Sequence, residues 1–142
     1  MADGGKVKLR PVGARAEVAR LGRPSVSTVT GGRIDIVTGV SEPGFNPIDL
    51  LYSSLAACLA LSARIAASRL GFLERFEGVV VEVTGEKSAE EPYRIIRFDI
   101  GIKVQGDLDT EKRNAIAHLA EEICTVSNTL KGDTEFAVSV TG

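Results

Sequence analysis

The sequence predicts an α+β fold with elements in the order βββ-α-ββ-α-β, and three observations support this prediction. Short runs rich in Val, Ile and Thr precede an uncharged stretch at residues 50–63. Two later runs alternate apolar and polar residues, as strands with one buried face do. A further stretch repeats apolar residues at helical spacing. Because the strands are grouped between two helices, and do not alternate with them one by one, the pattern indicates an α+β domain.

The first third of the chain predicts a meander of three short strands. These strands fall within residues 7–21 and 24–39, which Gly and Pro interrupt. Gly31-Gly32 predicts a tight turn between two of them, since glycine accepts the backbone conformations that such turns need.

The central helix is predicted to begin at Asn46-Pro47 and to end near Leu70. Asn caps helices well, and Pro fits the first helical position. Gly71 predicts the end, because glycine readily adopts the left-handed conformation that follows a helix. The uncharged part, residues 50–63, is shorter than the roughly 20 residues that span a bilayer. A helix that is apolar nearly all round therefore predicts the centre of a packed core.

The second half predicts a β-hairpin, a second helix and a last strand. The hairpin strands are residues 78–87 and 94–106, joined by the polar string SAEEPY. Asp109 or Thr110 is predicted to cap the second helix. Its apolar stripe comprises Ile116, Leu119, Ala120 and Ile123. Residues 134–140, TEFAVSV, predict the last strand.

Composition limits the class of protein. The chain has 142 residues, of which 44% are hydrophobic and 25% charged, so we expect residues 1–142 to form a single soluble domain. The net charge of −2 and the 5% aromatic content disfavour nucleic acid as a partner. The opening string MADGGKVKLR lacks the apolar segment of a signal peptide, which predicts a cytoplasmic protein with no membrane attachment.

The two cysteines are the candidates for chemistry. Cys58 lies in the central helix and Cys124 extends the inward stripe of the second helix, so both are expected to face the core. Three interpretations compete: two inert small hydrophobes, a metal site shared with His118, or a redox pair. His118 and Cys124 are separated by about 240° around an ideal helix, which disfavours a shared metal. In a redox pair, one thiolate attacks an oxidant and the other thiol converts the sulfenic acid into a disulfide.

The strings NPIDLLYSSLAAC and CTVSNTL resemble the two cysteine motifs of the OsmC/Ohr family of thiol-dependent peroxidases, in its OsmC-like branch. The resemblance covers essentially the whole chain. It implies an antiparallel sheet with a long central helix, an interwoven homodimer, and no metal or organic cofactor. It also implies that Cys58 meets an organic hydroperoxide, that Cys124 is the resolving thiol, and that a dithiol such as a lipoyl group is the reductant.

The resemblance also implies an arginine that holds the first cysteine as thiolate. It places this role at Arg23, with Arg33 as the second choice. Ile48 stands where family peroxidases carry a glutamate that pairs with the arginine, and the acid comes one residue later, at Asp49. We therefore expect Arg23 to lack an anchoring carboxylate. The second cysteine is followed by Thr125 where the family motif has proline. An OsmC-like binding or structural protein with little peroxidase turnover is the alternative.

Overall fold

The computed structural model describes residues 9–142, and their contacts divide the chain into two compact units. The first unit ends at Leu50 and the second spans Leu51–Gly142. The expectation that residues 1–142 form one domain stays a prediction. Residues 7 and 8, at the start of the first predicted strand region, lie outside the described residues.

The first unit contains the predicted meander. Its strands are β1 (Ala14–Glu17), β2 (Ser25–Thr28) and β3 (Arg33–Asp35). They pair antiparallel in the order β1-β2-β3. The predicted turn joins β2 to β3, where Gly31 has a φ of +100° and donates its N–H to the Thr28 carbonyl oxygen at 3.0 Å. Glycine suits this position because a Cβ would be strained at positive φ.

The central helix, α1 (Pro47–Arg69), begins with a reciprocal cap. The Asn46 side-chain oxygen accepts from the Asp49 N–H at 2.7 Å, and the Asp49 carboxylate accepts from the Asn46 N–H at 3.1 Å. Two N–H groups at the helix start are thereby satisfied. After the helix, Gly71 adopts a φ of +81°, as expected of a glycine that ends a helix. Both predicted ends of the central helix are confirmed.

The second unit contains the predicted hairpin and two further helices. These elements are β4 (Phe76–Lys87), β5 (Ile95–Gly106), α2 (Thr110–Ile123) and α3 (Thr125–Lys131). Strands β4 and β5 pair antiparallel, with Val81 opposite Ile102. Asp109 caps α2, because its side chain accepts from the Lys112 N–H at 2.9 Å. The hairpin and the second helix are confirmed, whereas α3 was not predicted.

Small side chains of α1 share one part of the core with residues of β5 and α2. This alanine cluster comprises Ala63, Ala66, Ala67, Val104, Leu108, Ile116 and Ala120. By length and composition α1 also qualifies as a membrane-spanning helix. Its packing against β5 and α2 is that of a helix in the core of a globular unit.

The strand that the sequence predicts at residues 134–140 is not formed in the structure. Within residues 9–142, the segment 134–140 pairs with no strand. Helix α3 is therefore the last regular element, and a segment without a strand partner follows it. The apolar residues of this segment are almost fully exposed: Phe136 at 89%, Val138 at 83% and Val140 at 89%. The alternation of the sequence is that of a strand, but a strand needs a hydrogen-bonded neighbour, and no described strand supplies one. The α+β class itself is confirmed.

Candidate active site

The two cysteines meet in the second unit. Buried side chains from α1 and from the α2–α3 junction form a cluster with partly buried neighbours, which we call the thiol cluster. It comprises Leu55, Leu59 and Cys124, with Cys58, Val81, Val83, Phe98 and Val126 packed against them. Both thiols are free, Cys58 is partly buried, and Cys124 is 0% exposed. The expectation that both sulfurs face the core is confirmed.

Cys124 occupies the junction between two helices. It follows the last residue of α2 with an extended backbone (φ −74°, ψ 111°) and is the cap of α3. Its sulfur accepts from the Ser127 N–H at 3.4 Å. Sulfur is a weak acceptor, but it satisfies an N–H that the helix itself leaves without a partner. The break between α2 and α3 thus fixes where this sulfur lies.

The pKa of Cys58 is set by burial and by hydrogen bonds that oppose it. Burial raises the pKa of this thiol, but hydrogen bonds from the Cys124 thiol and the Val126 backbone lower it. Smaller contributions in the same direction come from the Ser62 hydroxyl and the Thr125 backbone. The net pKa lies below the ordinary value of a cysteine. The site therefore favours the thiolate of Cys58, which is the reactive form of a thiol.

The pKa of Cys124 moves the other way. Burial raises the pKa of Cys124, and its hydrogen bond to Cys58 raises it further, because that bond requires Cys124 to keep its proton. The backbone N–H groups of Ser127 and Val126 lower this pKa, but by less. One thiol of the pair is thus prone to ionise while the other holds a proton beside it.

Part of this arrangement could not be found from the sequence. The start of α1 is too distant to influence Cys58, and the helical N–H groups that act on it, those of Thr125 and Val126, begin α3. Helix α3 has only seven residues, which is too short for apolar periodicity to reveal it. Its proximity to Cys58 arises from packing between α1 and the α2–α3 junction.

A polar network adjoins the thiol cluster. Ser127 is 5% exposed, and its hydroxyl donates to a Glu121 carboxylate oxygen at 3.0 Å. Lys131 forms an ion pair with the same carboxylate oxygen. Hydrogen bonds from Lys131 and then Ser127 hold the pKa of Glu121 below its ordinary value. A cleft of about 240 Å³ borders these three residues, and Leu55 and Phe98 contribute apolar walls.

Arg23 has a carboxylate partner in the first unit. It forms an ion pair with Glu42, which also accepts from the backbone N–H groups of Thr38 and Gly39 at 3.4 Å each. The expectation that Arg23 lacks an anchoring carboxylate is therefore wrong. The loop before α1 turns back and supplies Glu42, whereas Asp49 is occupied by the helix cap. The proposed role of Arg23 toward Cys58 stays a prediction.

The remaining candidate residues from the sequence are Arg33 and His118. Arg33 is the first residue of β3, opposite Ser27 in the ladder. His118 lies on α2 and makes a small contribution to the lowered pKa of Glu121. Within residues 9–142, no group of three or more His, Cys, Asp or Glu side chains is arranged to hold a metal ion.

The sequence matches a known family over most of its length. The model of the OsmC-like protein family matches residues 39–139. The chain belongs to this family. An uncharacterized protein of Haloferax volcanii is similar to this OsmC-like chain, with 24% identity over 106 residues that cover 75% of the chain and 78% of that protein.

Solved structures share the OsmC-like fold. The organic hydroperoxide resistance protein OsmC of Legionella pneumophila has a TM-score of 0.68 and 22% identity, covering 89% of this chain and 93% of that one. An organic hydroperoxide resistance protein of Elizabethkingia anophelis has a TM-score of 0.74 and 16% identity, covering 89% of this chain and 91% of that one. For OhrB of Bacillus subtilis the TM-score is 0.67 and the identity 21%, covering 86% and 91%. Membership in the family suggests a function related to peroxide stress.

Proposed function

We propose that this OsmC-like protein is a thiol-dependent peroxidase that reduces organic, lipid-type hydroperoxides through Cys58 and Cys124. The observation that carries the proposal is that two thiols of unequal pKa share one apolar cluster. Cys58 is the partly exposed thiol that ionises more easily, which suits a nucleophile. Cys124 is buried and its pKa is raised by burial, which suits a thiol that acts only after its neighbour has been oxidised.

The chemistry balances in two steps. The Cys58 thiolate attacks the terminal oxygen of the hydroperoxide, the O–O bond breaks, and the alkoxide takes a proton and leaves as the alcohol. Cys58 is then a sulfenic acid. The Cys124 sulfur attacks the Cys58 sulfur, a disulfide forms, and the hydroxyl of the sulfenic acid leaves with the thiol proton as water. Two electrons pass from the cysteines to the peroxide, so no metal or organic cofactor is needed.

A dithiol restores the enzyme in this proposal. Its first thiolate attacks the protein disulfide, its second thiol closes a cyclic disulfide, and both cysteines return to the thiol form. Lipoyl groups are dithiols of this kind, and the family resemblance favours them. The apolar walls of the cleft beside the thiol cluster suit the hydrocarbon part of such a reactant or of a lipid hydroperoxide.

Arg23 is the proposed cation that supports the Cys58 thiolate, with Arg33 as the second choice. A guanidinium lowers the pKa of a neighbouring thiol and can donate hydrogen bonds to peroxide oxygens. Its ion pair with Glu42 gives Arg23 a defined partner, as a positioned catalytic arginine requires.

The proposed assembly is an interwoven homodimer in the cytoplasm. The segment after α3 supports a dimer, because Phe136, Val138 and Val140 alternate as in a strand and are exposed. Pairing this segment with a strand of a second copy would bury three apolar side chains and complete a backbone ladder. Light scattering after size exclusion should therefore give the mass of two chains.

The activity is tested with one equivalent of an organic hydroperoxide, such as cumene hydroperoxide, added to the reduced protein. We expect both free thiols to disappear and the mass of the chain to fall by two hydrogens. Cys58→Ser should consume no peroxide, whereas Cys124→Ser should consume it and stop at the sulfenic acid, which dimedone captures. Oxidation of wild-type Cys58 to sulfinic acid with Cys124 still a free thiol would contradict the assignment of Cys124.

One observation favours the second candidate, an OsmC-like binding or structural protein with little turnover. The position of the family glutamate is Ile48, which is 43% exposed, and the nearby Asp49 is committed to the helix cap. The rate of the same reaction distinguishes the two functions. A Cys58 that reacts with the organic hydroperoxide no faster than free cysteine would favour the second candidate.

A further inference from the structure

Glu121 joins two points of α3 to α2. The carboxylate accepts the Ser127 hydroxyl near the start of α3 and pairs with Lys131 at its end. A second tie runs from the Asn128 side chain to the Glu122 carbonyl oxygen at 3.0 Å. Glu121 is the residue whose side chain contacts both the first and the last turn of α3.

The position of α3 matters because its first turn packs against the same cluster as the reactive thiol. Val126 and Cys58 both pack against the buried cluster to which Cys124 belongs, and the Ser127 N–H donates to the Cys124 sulfur. A shift of this turn by a fraction of an ångström would weaken the interaction of the Val126 and Thr125 N–H groups with Cys58 that lowers its pKa, since hydrogen bonds weaken steeply with distance and angle.

We infer that Glu121 is a positioning residue: by holding Ser127 and Lys131, it keeps the first turn of α3 against Cys58 and so governs how readily this thiol reacts. The inference deepens the proposed function, because it concerns the same thiol. It does not depend on peroxidase turnover, because thiol reactivity can be read with an alkylating agent alone. A failure of the proposed peroxidase activity and a failure of this inference are therefore separate results.

The charged neighbours make the expected sign informative. Lys131 and His118 lower the pKa of Glu121 by their positive charge, and the Cys124 thiol lowers the pKa of Cys58. If Glu121 acted on Cys58 only through its negative charge, removing the charge would favour the thiolate and lower the pKa of Cys58. If Glu121 acts through the position of α3, the same change raises the pKa.

The experiment compares the rate of iodoacetamide alkylation of Cys58 against pH in Glu121→Gln, Ser127→Ala and the control Glu122→Gln. To isolate Cys58, all three are made in a Cys124→Ser background, where serine retains a cap oxygen for α3. We expect Glu121→Gln and Ser127→Ala to move the profile to higher pH and to slow alkylation at pH 7 about three-fold. Glu122 is the matched control, because its exposed side chain lies one residue away on the same helix and carries the same charge.

Two results of the alkylation experiment would overturn the inference. An unchanged or faster reaction in Glu121→Gln overturns the inference, and so does an equal slowing in Glu122→Gln. Melting temperatures are measured in parallel, since a purely structural role would lower stability without moving the pH profile. If Glu121→Gln fails to fold, Glu121→Asp and Ser127→Ala provide the test, because the first withdraws the carboxylate by one methylene group and the second removes the Ser127 hydroxyl, and neither changes the charge.

Discussion

The backbone N–H of Ser127 lies 3.4 Å from the sulfur of Cys124, so the first turn of α3 is capped by a thiol. The same turn supplies the Val126 and Thr125 N–H groups that lower the pKa of Cys58. One thiol therefore orients the groups that make the other thiol reactive.

The cap can be tested by comparing Cys124→Ser with Cys124→Ala. Serine retains an oxygen that accepts from the Ser127 N–H, whereas alanine leaves the first turn of α3 without its cap. We expect the free energy of unfolding of the alanine variant to be lower than that of the serine variant by about 1 kcal/mol. Urea denaturation of the two reduced proteins measures the difference. Equal stability, or a less stable serine variant, would mean that the sulfur does not act as a cap.

The two thiols should differ in accessibility and in pH dependence. Cys58 is partly buried with a lowered pKa, and Cys124 is fully buried with a raised pKa. Under native conditions at pH 7, iodoacetamide should label Cys58 about ten-fold faster than Cys124, or more. Peptide mass spectrometry at timed intervals provides both rates. Faster labelling of Cys124 would reverse the assigned roles.

The lowered pKa of Cys58 also predicts a pH dependence of stability. Because folding lowers this pKa, the stabilising contribution is present above the ordinary cysteine value of about 8.5 and declines as the pH falls through the lowered folded value. In a Cys124→Ser background, where the serine hydroxyl can donate to the Cys58 sulfur in place of the Cys124 thiol, stability relative to a Cys58→Ser, Cys124→Ser double variant should therefore rise with pH over this window. A difference that is flat with pH would show that folding leaves the pKa of Cys58 unchanged.

Arg23 and its partner Glu42 can be tested as a pair. If Arg23 supports the thiolate, Arg23→Ala should raise the pKa of Cys58 and slow its alkylation at pH 7 about ten-fold. Glu42→Gln should have a smaller effect in the same direction, because the guanidinium stays but loses its ionic partner. Arg33→Ala is the comparison. A slowing in Arg33→Ala with none in Arg23→Ala would transfer the role to Arg33.

Two glycines of the hairpin offer a matched test of packing. A Cβ on Gly85 would lie 2.7 Å from the Tyr52 hydroxyl oxygen and 2.8 Å from the Arg97 carbonyl oxygen, whereas a Cβ on Gly101 would have no neighbour within 4 Å. Gly85→Ala should lower the free energy of unfolding by about 1–3 kcal/mol, because tyrosine or backbone must shift. Gly101→Ala should be neutral or stabilising by about 0.4–1 kcal/mol. Thermal or urea denaturation measures both changes in stability. If the two substitutions changed the free energy of unfolding equally, the packing of Tyr52 on β4 would be contradicted.

Elements with a strong local pattern could be predicted from the sequence. Asn46-Pro47 and Gly71 determine the ends of α1 through capping and glycine conformation, which depend on a few adjacent residues. The alternation of β4 and β5 likewise follows from one buried face of a hairpin. The two cysteines could be expected to face the core, because Cys58 lies in the apolar helix α1 and Cys124 directly follows the apolar stripe of α2.

Contacts between distant segments were decided only by the tertiary structure. The seven residues of α3 have no periodicity that predicts a helix, yet their N–H groups act on Cys58 because α1 and the α2–α3 junction pack together. Arg23 obtained Glu42 as its partner because a loop folds back, which no spacing rule anticipates. In residues 134–140 the local pattern is present but the contact is missing. Their alternation favours a strand, but it does not determine which strand pairs with them. Local patterns depend on neighbours in the chain, whereas pKa values, ion pairs and strand pairing depend on neighbours in space.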